Sequence, residues 1–308
     1  MRPEENLSKE QIQKICKKLG TEMIKYSFLS KGNHNINYKI ETEEGKYVLR
    51  IEDNILFKNL KKEFNFLKMA KKGLGPKVYS FDNSKKILPK NYFIEEFIEG
   101  NHPSKNVNNK FVIEMAKWFN KLHKTIKKAS KPYLLKTKVK PYYKNYLKYE
   151  HNLKDKKFKE ELDNCISKAL IILEKNNNIF VNRRNISLLH NDTSKGNIFY
   201  DNDSVRLIDW EFVSYGLPER ELVYFLDSYN LTKNQQVLFL KEYGYPTTKQ
   251  SKIQLSMAYI ILLFSSIGYS LWQLDVLNKS KSSKKDKKER MNRLIRDFNL
   301  LKESIRGL

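Results

Sequence analysis

Three oxygen-bearing side chains, Asp192, Asn197 and Asp209, lie within residues 188–212, LLHNDTSKGNIFYDNDSVRLIDWEF. Hard oxygen donors suit Mg²⁺, which takes near-octahedral coordination and is usually held by one or two protein carboxylates or amides while phosphates and water complete its shell. Asn197 and Asp209 fit that part. Asp192 is then free to orient an attacking hydroxyl and accept its proton. His190 reads as a buried imidazole that braces the loop through hydrogen bonds and not as a general base, because Asp192 already supplies the oxygen nearest the metal.

The elements that must bring these groups together are legible in the same stretch. A short apolar run at 188–189 leads into a polar loop at 190–197, a strand at 198–200, a turn at 201–204 and a second strand at 205–208. A β-hairpin results. Asp192 and Asn197 precede it and Asp209 and Glu211 follow it, so the chemistry collects at one end.

HNDTSKGN followed by LIDWE resembles the catalytic loop and metal motif of the aminoglycoside phosphotransferase and choline kinase superfamily, relatives of protein kinases, with Asp-Trp-Glu standing where protein kinases carry Asp-Phe-Gly. The resemblance implies an α+β, bilobal protein-kinase-like fold. Residues 1–99 would form a nucleotide-binding lobe with a five-stranded antiparallel sheet and a helix, and residues 100–308 a mainly helical catalytic and substrate-binding lobe. It also implies ATP and Mg²⁺ as cofactors and transfer of the γ-phosphate to a hydroxyl, with Asp192, Asn197 and Asp209 in the roles above.

In the first lobe a short amphipathic helix is expected at 8–19, then strands at 23–29, 36–40 and 46–51. Between the first two strands, Ser30, Gly32 and Asn33 could lie over nucleotide phosphates through backbone N–H groups, although a plain hairpin turn would look the same. Arg50 sits among apolar neighbours in YVLRI, where the resemblance implies a phosphate-neutralising cation. Glu63, the most central acid of a helix expected at 58–72, is its expected partner, and Gly73 and Gly75-Pro76 end that helix. Strands at 77–80 and 91–98 complete the sheet. The second ends in YFIEEFIEG, which resembles the family's hinge and marks Glu96, Phe97 and Ile98 for adenine binding.

Beyond residue 100 the pattern predicts helices at 108–128, 141–149, 158–174, 233–243 and 250–277, one beginning near Pro218, and a closing helix at 289–305 after a lysine-serine loop. Relatives carry an aspartate near Glu221, so glutamate is a departure there. In IGYSLWQLD, Tyr269 and Trp272 share one helix face that Asp275 continues. Similar helices of choline kinases help form the cage around a quaternary ammonium group, while packing into the core is the alternative.

Composition bounds the rest. The 308 residues hold 40% hydrophobic and 12% aromatic side chains, enough for a substantial core. Cys16 and Cys165 are too few for a disulfide framework, and the polar N-terminus shows no signal peptide, so a cytoplasmic setting is expected. The apolar run at 258–264 is too short for a membrane span and reads as a buried helix. The net charge of +24 is spread along the chain, which ranks a lysine-rich surface above a nucleic-acid partner. Residues 188–229 form an acidic island suited to Mg²⁺ and a cationic acceptor. Glu211, Tyr269, Trp272 and Asp275, with Asp192, are the expected acceptor contacts, and the expected acceptor is an amino alcohol of the choline or ethanolamine type. The rivals are an aminoglycoside 3'- or 2''-type phosphotransferase and, in another class, a non-catalytic kinase-like or nucleic-acid-binding protein. ATP against GTP preference and oligomeric state stay open.

Overall fold

The computed structural model describes residues 7–32, 34–53, 59–104, 106–201, 204–280 and 283–306. The chain forms two compact units: Met1–Thr125 with Leu189–Ser214 and Leu231–Tyr243, and Ile126–Leu188 with Tyr215–Asn230 and Gly244–Leu308.

The first unit begins with α1 (Lys9–Lys18), started by a capping box in which Ser8 Oγ accepts from Gln11 N and the Gln11 side chain accepts from Ser8 N. There follow β1 (Met23–Lys31), β2 (Asn35–Thr42), β3 (Gly45–Glu52), α2 (Leu60–Met69), β4 (Val78–Asp82) and β5 (Tyr92–Glu96). The strands form one antiparallel sheet in the order β1-β2-β3-β5-β4. Strand alternation divides its side chains between two faces. Tyr38, Leu49, Ile51, Tyr92 and Ile94 pack with Ile12 and Ile15 of α1 in one apolar core. The intervening residues Val48, Arg50, Phe93 and Glu95 occupy the other face, where Phe64 of α2 lies 5.9 Å from Phe93, ring centre to ring centre.

The expected helix at 108–128 is shorter than predicted. α3 (Asn109–His123) is capped by Asn108, and residues 126–128 leave it to form β6 (Ile126–Lys128). The apolar helical spacing ends at Leu122, and the backbone beyond pairs instead with a later strand. α4 (Leu135–Tyr149) starts a turn and a half earlier than expected, with Pro141 inside it, because Leu135 and Val139 extend the buried stripe of Tyr146 across intervening lysines. α5 (Lys156–Lys175) and β7 (Asn185–Leu189) follow, and β6 pairs antiparallel with β7.

β8 (Ile198–Tyr200) and β9 (Val205–Leu207) form the predicted hairpin in register Ile198↔Leu207. After β10 (Ser214–Gly216) come α6 (Pro218–Ser228), α7 (Lys233–Tyr243), α8 (Lys249–Lys279) and α9 (Lys284–Arg306). α9 begins within the lysine-serine run expected to be a loop, because Ser283 Oγ accepts from Asp286 N and caps it at 3.1 Å. In the second unit α4, α5, α8 and α9 enclose a core that includes Tyr146, Ile166, Phe264, Leu271 and Phe298. By length and composition α8 is the one helix among the described residues that could cross a bilayer, and half of its apolar window is buried in this core. Cys16 and Cys165 are buried free thiols.

Candidate active site

The 190–197 loop leaves β7 at a fully buried histidine. His190 Nδ1 accepts from Asp192 N at 3.2 Å, so the ring proton lies on Nε2, which donates to Ile208 O at 3.1 Å. The ring centre sits 4.8 Å from that of Trp210. His190 is thus a brace, as its neighbours in sequence suggested. Asn191 turns the chain through φ +69°, a left-handed conformation that asparagine tolerates, and its amide donates to Phe212 O and Ser214 Oγ, both at 2.9 Å.

Asp192 and Asn197 meet directly. Asp192 Oδ1 accepts from Ser194 N at 3.2 Å and Oδ2 accepts from Asn197 Nδ2 at 2.8 Å. The Asn197 carbonyl accepts from Ile208 N at 2.9 Å, which ties the loop to the residue just before Asp209. Asn197 turns its amide nitrogen to Asp192, so its amide oxygen points away from that contact.

Asp209 also has a left-handed backbone, φ +63°, which lets the chain bend sharply between the hairpin and the buried indole of Trp210. Trp210 Nε1 donates to Leu207 O at 2.8 Å and its backbone N donates to Glu63 Oε1 at 3.0 Å. Gly75 is required beneath it, since a Cβ there would stand 2.7 Å from Trp210 Nε1. Asp209 Oδ1 accepts from Arg50 Nη2, and Arg50 Nε lies 3.2 Å from Glu63 Oε2. The Arg50–Glu63 neighbourhood expected from sequence is present.

Around this cluster the charges are strongly perturbed. Burial opposes the Arg50 cation, but Glu63, Asp209 and Glu95 outweigh it and raise the guanidinium pKa above its ordinary value. Burial pushes Glu63 up to about 7 and Glu95 up to about 8, in both cases against the pull of Arg50. Glu211 is raised by burial and by Asp209, with His34 Nδ1, 3.0 Å from its carboxylate, opposing. Arg50 Nε and Glu63 Oε2 are both buried and face each other as an ion pair without good hydrogen-bond geometry.

The donor set fits magnesium. The candidate ligands are those the sequence suggested, the Asp209 carboxylate and the Asn197 amide oxygen; among the described residues no three or more His, Cys, Asp or Glu side chains gather to hold a metal. One carboxylate plus one amide is the sparse provision Mg²⁺ uses when phosphates and water supply its other ligands.

Other expected residues fall as follows. Ser30 Oγ accepts from Asn37 Nδ2 at 3.0 Å, the Gly32 N–H donates to Asn35 O at 2.9 Å, and Asn33 lies outside the described residues. Glu96 binds Arg206 and accepts from Lys77 N; the Glu96 and Phe97 amides donate to Lys77 O and Lys46 O. Those two amides therefore serve the sheet, and Ile98 is buried beside them. In the second unit Tyr269 and Trp272 are 45% and 37% exposed with ring centres 5.4 Å apart, so they are surface residues and not core. Asp275 does not extend that open face: it is buried and paired with Lys279 at 2.6 Å and His151 at 3.3 Å. Glu221 is buried as well.

Sequence reasoning missed His34 and Asn35. With its amide oriented so that the oxygen accepts from Arg50 Nη2 and the nitrogen donates to His34 O, both at 3.1 Å, Asn35 anchors the cluster from β2. A histidine-asparagine pair directly after the glycine loop was the available signal. A cavity of about 1080 Å³ in the first unit is lined by Lys46, Tyr47, Lys71, Glu96, Phe97 and Arg206 among others, and by none of Asp192, Asn197, Asp209 or Arg50.

Set beside known proteins, residues 25–248 match the profile of a phosphotransferase enzyme family. A LicA homolog of Metamycoplasma hominis is 31% identical over 112 residues, 35% of this chain and 43% of that protein, so the match spans less than half of that relative. A LicA homolog of Mycoplasma capricolum subsp. capricolum is 23% identical over 243 residues, 77% of this chain and 87% of that protein. The crystal structure of choline kinase LicA from Streptococcus pneumoniae aligns with a TM-score of 0.63 at 15% identity, over 97% of this chain and 99% of that one. At that identity the likeness shows the protein-kinase-like fold.

Proposed function

This chain belongs to the phosphotransferase enzyme family, and from that premise we propose that it transfers the γ-phosphate of ATP to the hydroxyl of a small cationic amino alcohol, of the choline or ethanolamine type. The observation that carries this reading is the direct bond of Asp192 to Asn197, tied through Ile208 to the Asp209–Arg50–Glu63 cluster.

Asp192 Oδ2 and Oδ1, held by Asn197 and Ser194, are fixed to orient the acceptor hydroxyl and take its proton as phosphorus is attacked. Asn197 and Asp209 would hold Mg²⁺, which when bound supplies positive charge to the phosphate oxygens. Arg50 neutralises phosphate charge, and Glu63 fixes Arg50. Ser30 and Gly32 lie over the phosphates, and Glu96, Phe97 and Ile98 border the base. In this reading residues 1–99 serve the nucleotide and residues 100–308 the chemistry and acceptor, in the cytoplasm. Tyr269 and Trp272 offer a cation an exposed aromatic pair, and the likeness to the choline kinase LicA of Streptococcus pneumoniae, whose name the LicA homologs share, favours choline. Asp275, already paired, acts by holding its end of α8 and not by touching the acceptor. Glu211, bound by His34, positions the phosphate loop.

The test is a panel of radiolabelled-ATP transfer assays with choline, ethanolamine, kanamycin, homoserine, thiamine and methylthioribose. Labelling of choline or ethanolamine above the others is expected. Labelling of kanamycin alone would replace the amino alcohol with an aminoglycoside, and labelling of none would remove the acceptor class.

A further inference from the structure

The cavity of about 1080 Å³ in the first unit touches β3 and β5 through Tyr47 and Glu96, which strand alternation turns away from Val48, Arg50 and Glu95. Its other walls are the end of α2, the link from α2 into β4, and Arg206 of β9. Six basic side chains line it against three acidic ones. The acids are already engaged: Glu99 pairs with Lys46, Glu96 Oε1 accepts from Arg206 Nη1 at 2.8 Å, and Glu44 accepts from the Thr42 hydroxyl at 3.2 Å. Lys68, Lys71, Lys72 and Lys77 remain, and among the described residues none of the four has an acidic partner. Lys121 brings a fifth cation to the same segment, its Nζ donating to Lys72 O. The C-terminal end of α2 favours cations on its last turn, which accounts for Lys68, but that dipole does not reach Lys77 at the start of β4. Like charges gathered around one hollow repel each other, and a multivalent anion relieves the repulsion.

We propose that this cavity binds a small multivalent anion, a molecule of metabolite size carrying two or more phosphate or carboxylate groups, at a place separate from the Asp209–Arg50 cluster. The volume is ample for such a ligand. Lys68, Lys71, Lys72 and Lys77 bring ammonium donors on flexible stems, each able to turn its N–H groups to an oxygen. Tyr47 and Tyr79, edge-on with ring centres 5.1 Å apart, give the hollow a firm wall, and Lys77 Nζ lies 4.9 Å from the centre of the Tyr79 ring. The Lys46–Glu99 and Arg206–Glu96 pairs fix the rim without engaging the four lysines. Occupancy is open to direct observation. Gly75, in the cavity wall, packs against the Trp210 indole, and Leu74 O accepts from Trp118 Nε1 at 2.9 Å, so two of the three tryptophans adjoin the segment that a ligand would touch.

The test is isothermal titration calorimetry of the full chain with inorganic tripolyphosphate at about 150 mM salt, where diffuse surface charge is largely screened. The titration is repeated with Mg²⁺ and a non-hydrolysable ATP analogue present. Wild type is expected to take up tripolyphosphate saturably in both conditions, with a change in tryptophan emission. The triple variant K68Q/K71Q/K72Q should weaken that uptake about tenfold or more, and K77Q about threefold. All four lysines are exposed, so these variants keep the fold. K284Q/K285Q/K288Q, which removes as much charge from α9, should bind as wild type does. Competition by citrate assigns the site to multivalent anions of either kind, and failure of citrate assigns it to phosphates. Absence of saturable uptake, an equal loss in the α9 variant, or loss of all uptake once the analogue is bound overturns the proposal. No phosphate acceptor enters these measurements, so the amino-alcohol reading can fail while this one stands, and the reverse.

Discussion

Arg50 is a single cation set among three carboxylates, Glu63, Glu95 and Asp209, and its loss would leave buried negative charge without compensation. Breaking a buried pair by removing one partner costs about 3–5 kcal/mol. Arg50→Met is therefore expected to lower the melting temperature sharply and raise KM for ATP, which calorimetry and steady-state kinetics would check. Asp192→Ala leaves this cluster intact. It should lower kcat by about 10²–10⁴-fold while nearly sparing ATP affinity, and a loss below about tenfold would show that Asp192 is not the base. The raised carboxyls set a pH dependence. Glu63 and Glu95 hold their protons above the ordinary 4.5, so across about pH 5–8 the native protein binds more protons than the unfolded chain, and stability falls as pH rises through that window. Glu95→Gln should flatten this slope, melting above wild type at pH 8 and level with it at pH 5. The sequence pointed to the oxygen-bearing side chains that motifs frame, Asp192, Asn197 and Asp209. It did not expose His34, Asn35 or the burial of Glu95, because those depend on which strands lie side by side.

At the level of elements, apolar runs bounded by turn residues were sufficient to read the sheet and the β8–β9 hairpin, although β3 and β5 are buried on both faces and show no alternation. The helices blurred where lysine masks the apolar stripe, as in α4, or where a three-residue pairing such as β6 takes over a helix end. The contact between Gly75 and Trp210 joins two elements far apart in sequence. Gly75→Ala would press its methyl into the indole and disturb the Trp210 N–H bond to Glu63, so it is expected to cost about 1–3 kcal/mol and to reduce kcat through a displaced Asp209. Urea denaturation with kinetics under native conditions would separate the two losses, and wild-type values in both would show that the packing has slack.

For the whole molecule, a charge of +24 spread over lysines and arginines promises solubility more than a dedicated polyanion partner. A nucleic-acid function would require steeply salt-dependent RNA or DNA binding. Filter binding between about 50 and 200 mM salt is expected to show weak association with no sequence preference. The two compact units are interleaved along the chain, a feature no local pattern in the sequence announces. The first draws the 190–197 loop from residues after 188 and its helix α7 from Lys233–Tyr243. During synthesis, then, the ribosome releases a finished five-stranded sheet long before the helix that completes its unit has been made. Until Tyr243 clears the exit tunnel the face of α3 that α7 covers lacks its partner, so a chain stopped short of α7 is expected to be less stable in its first unit than the full chain.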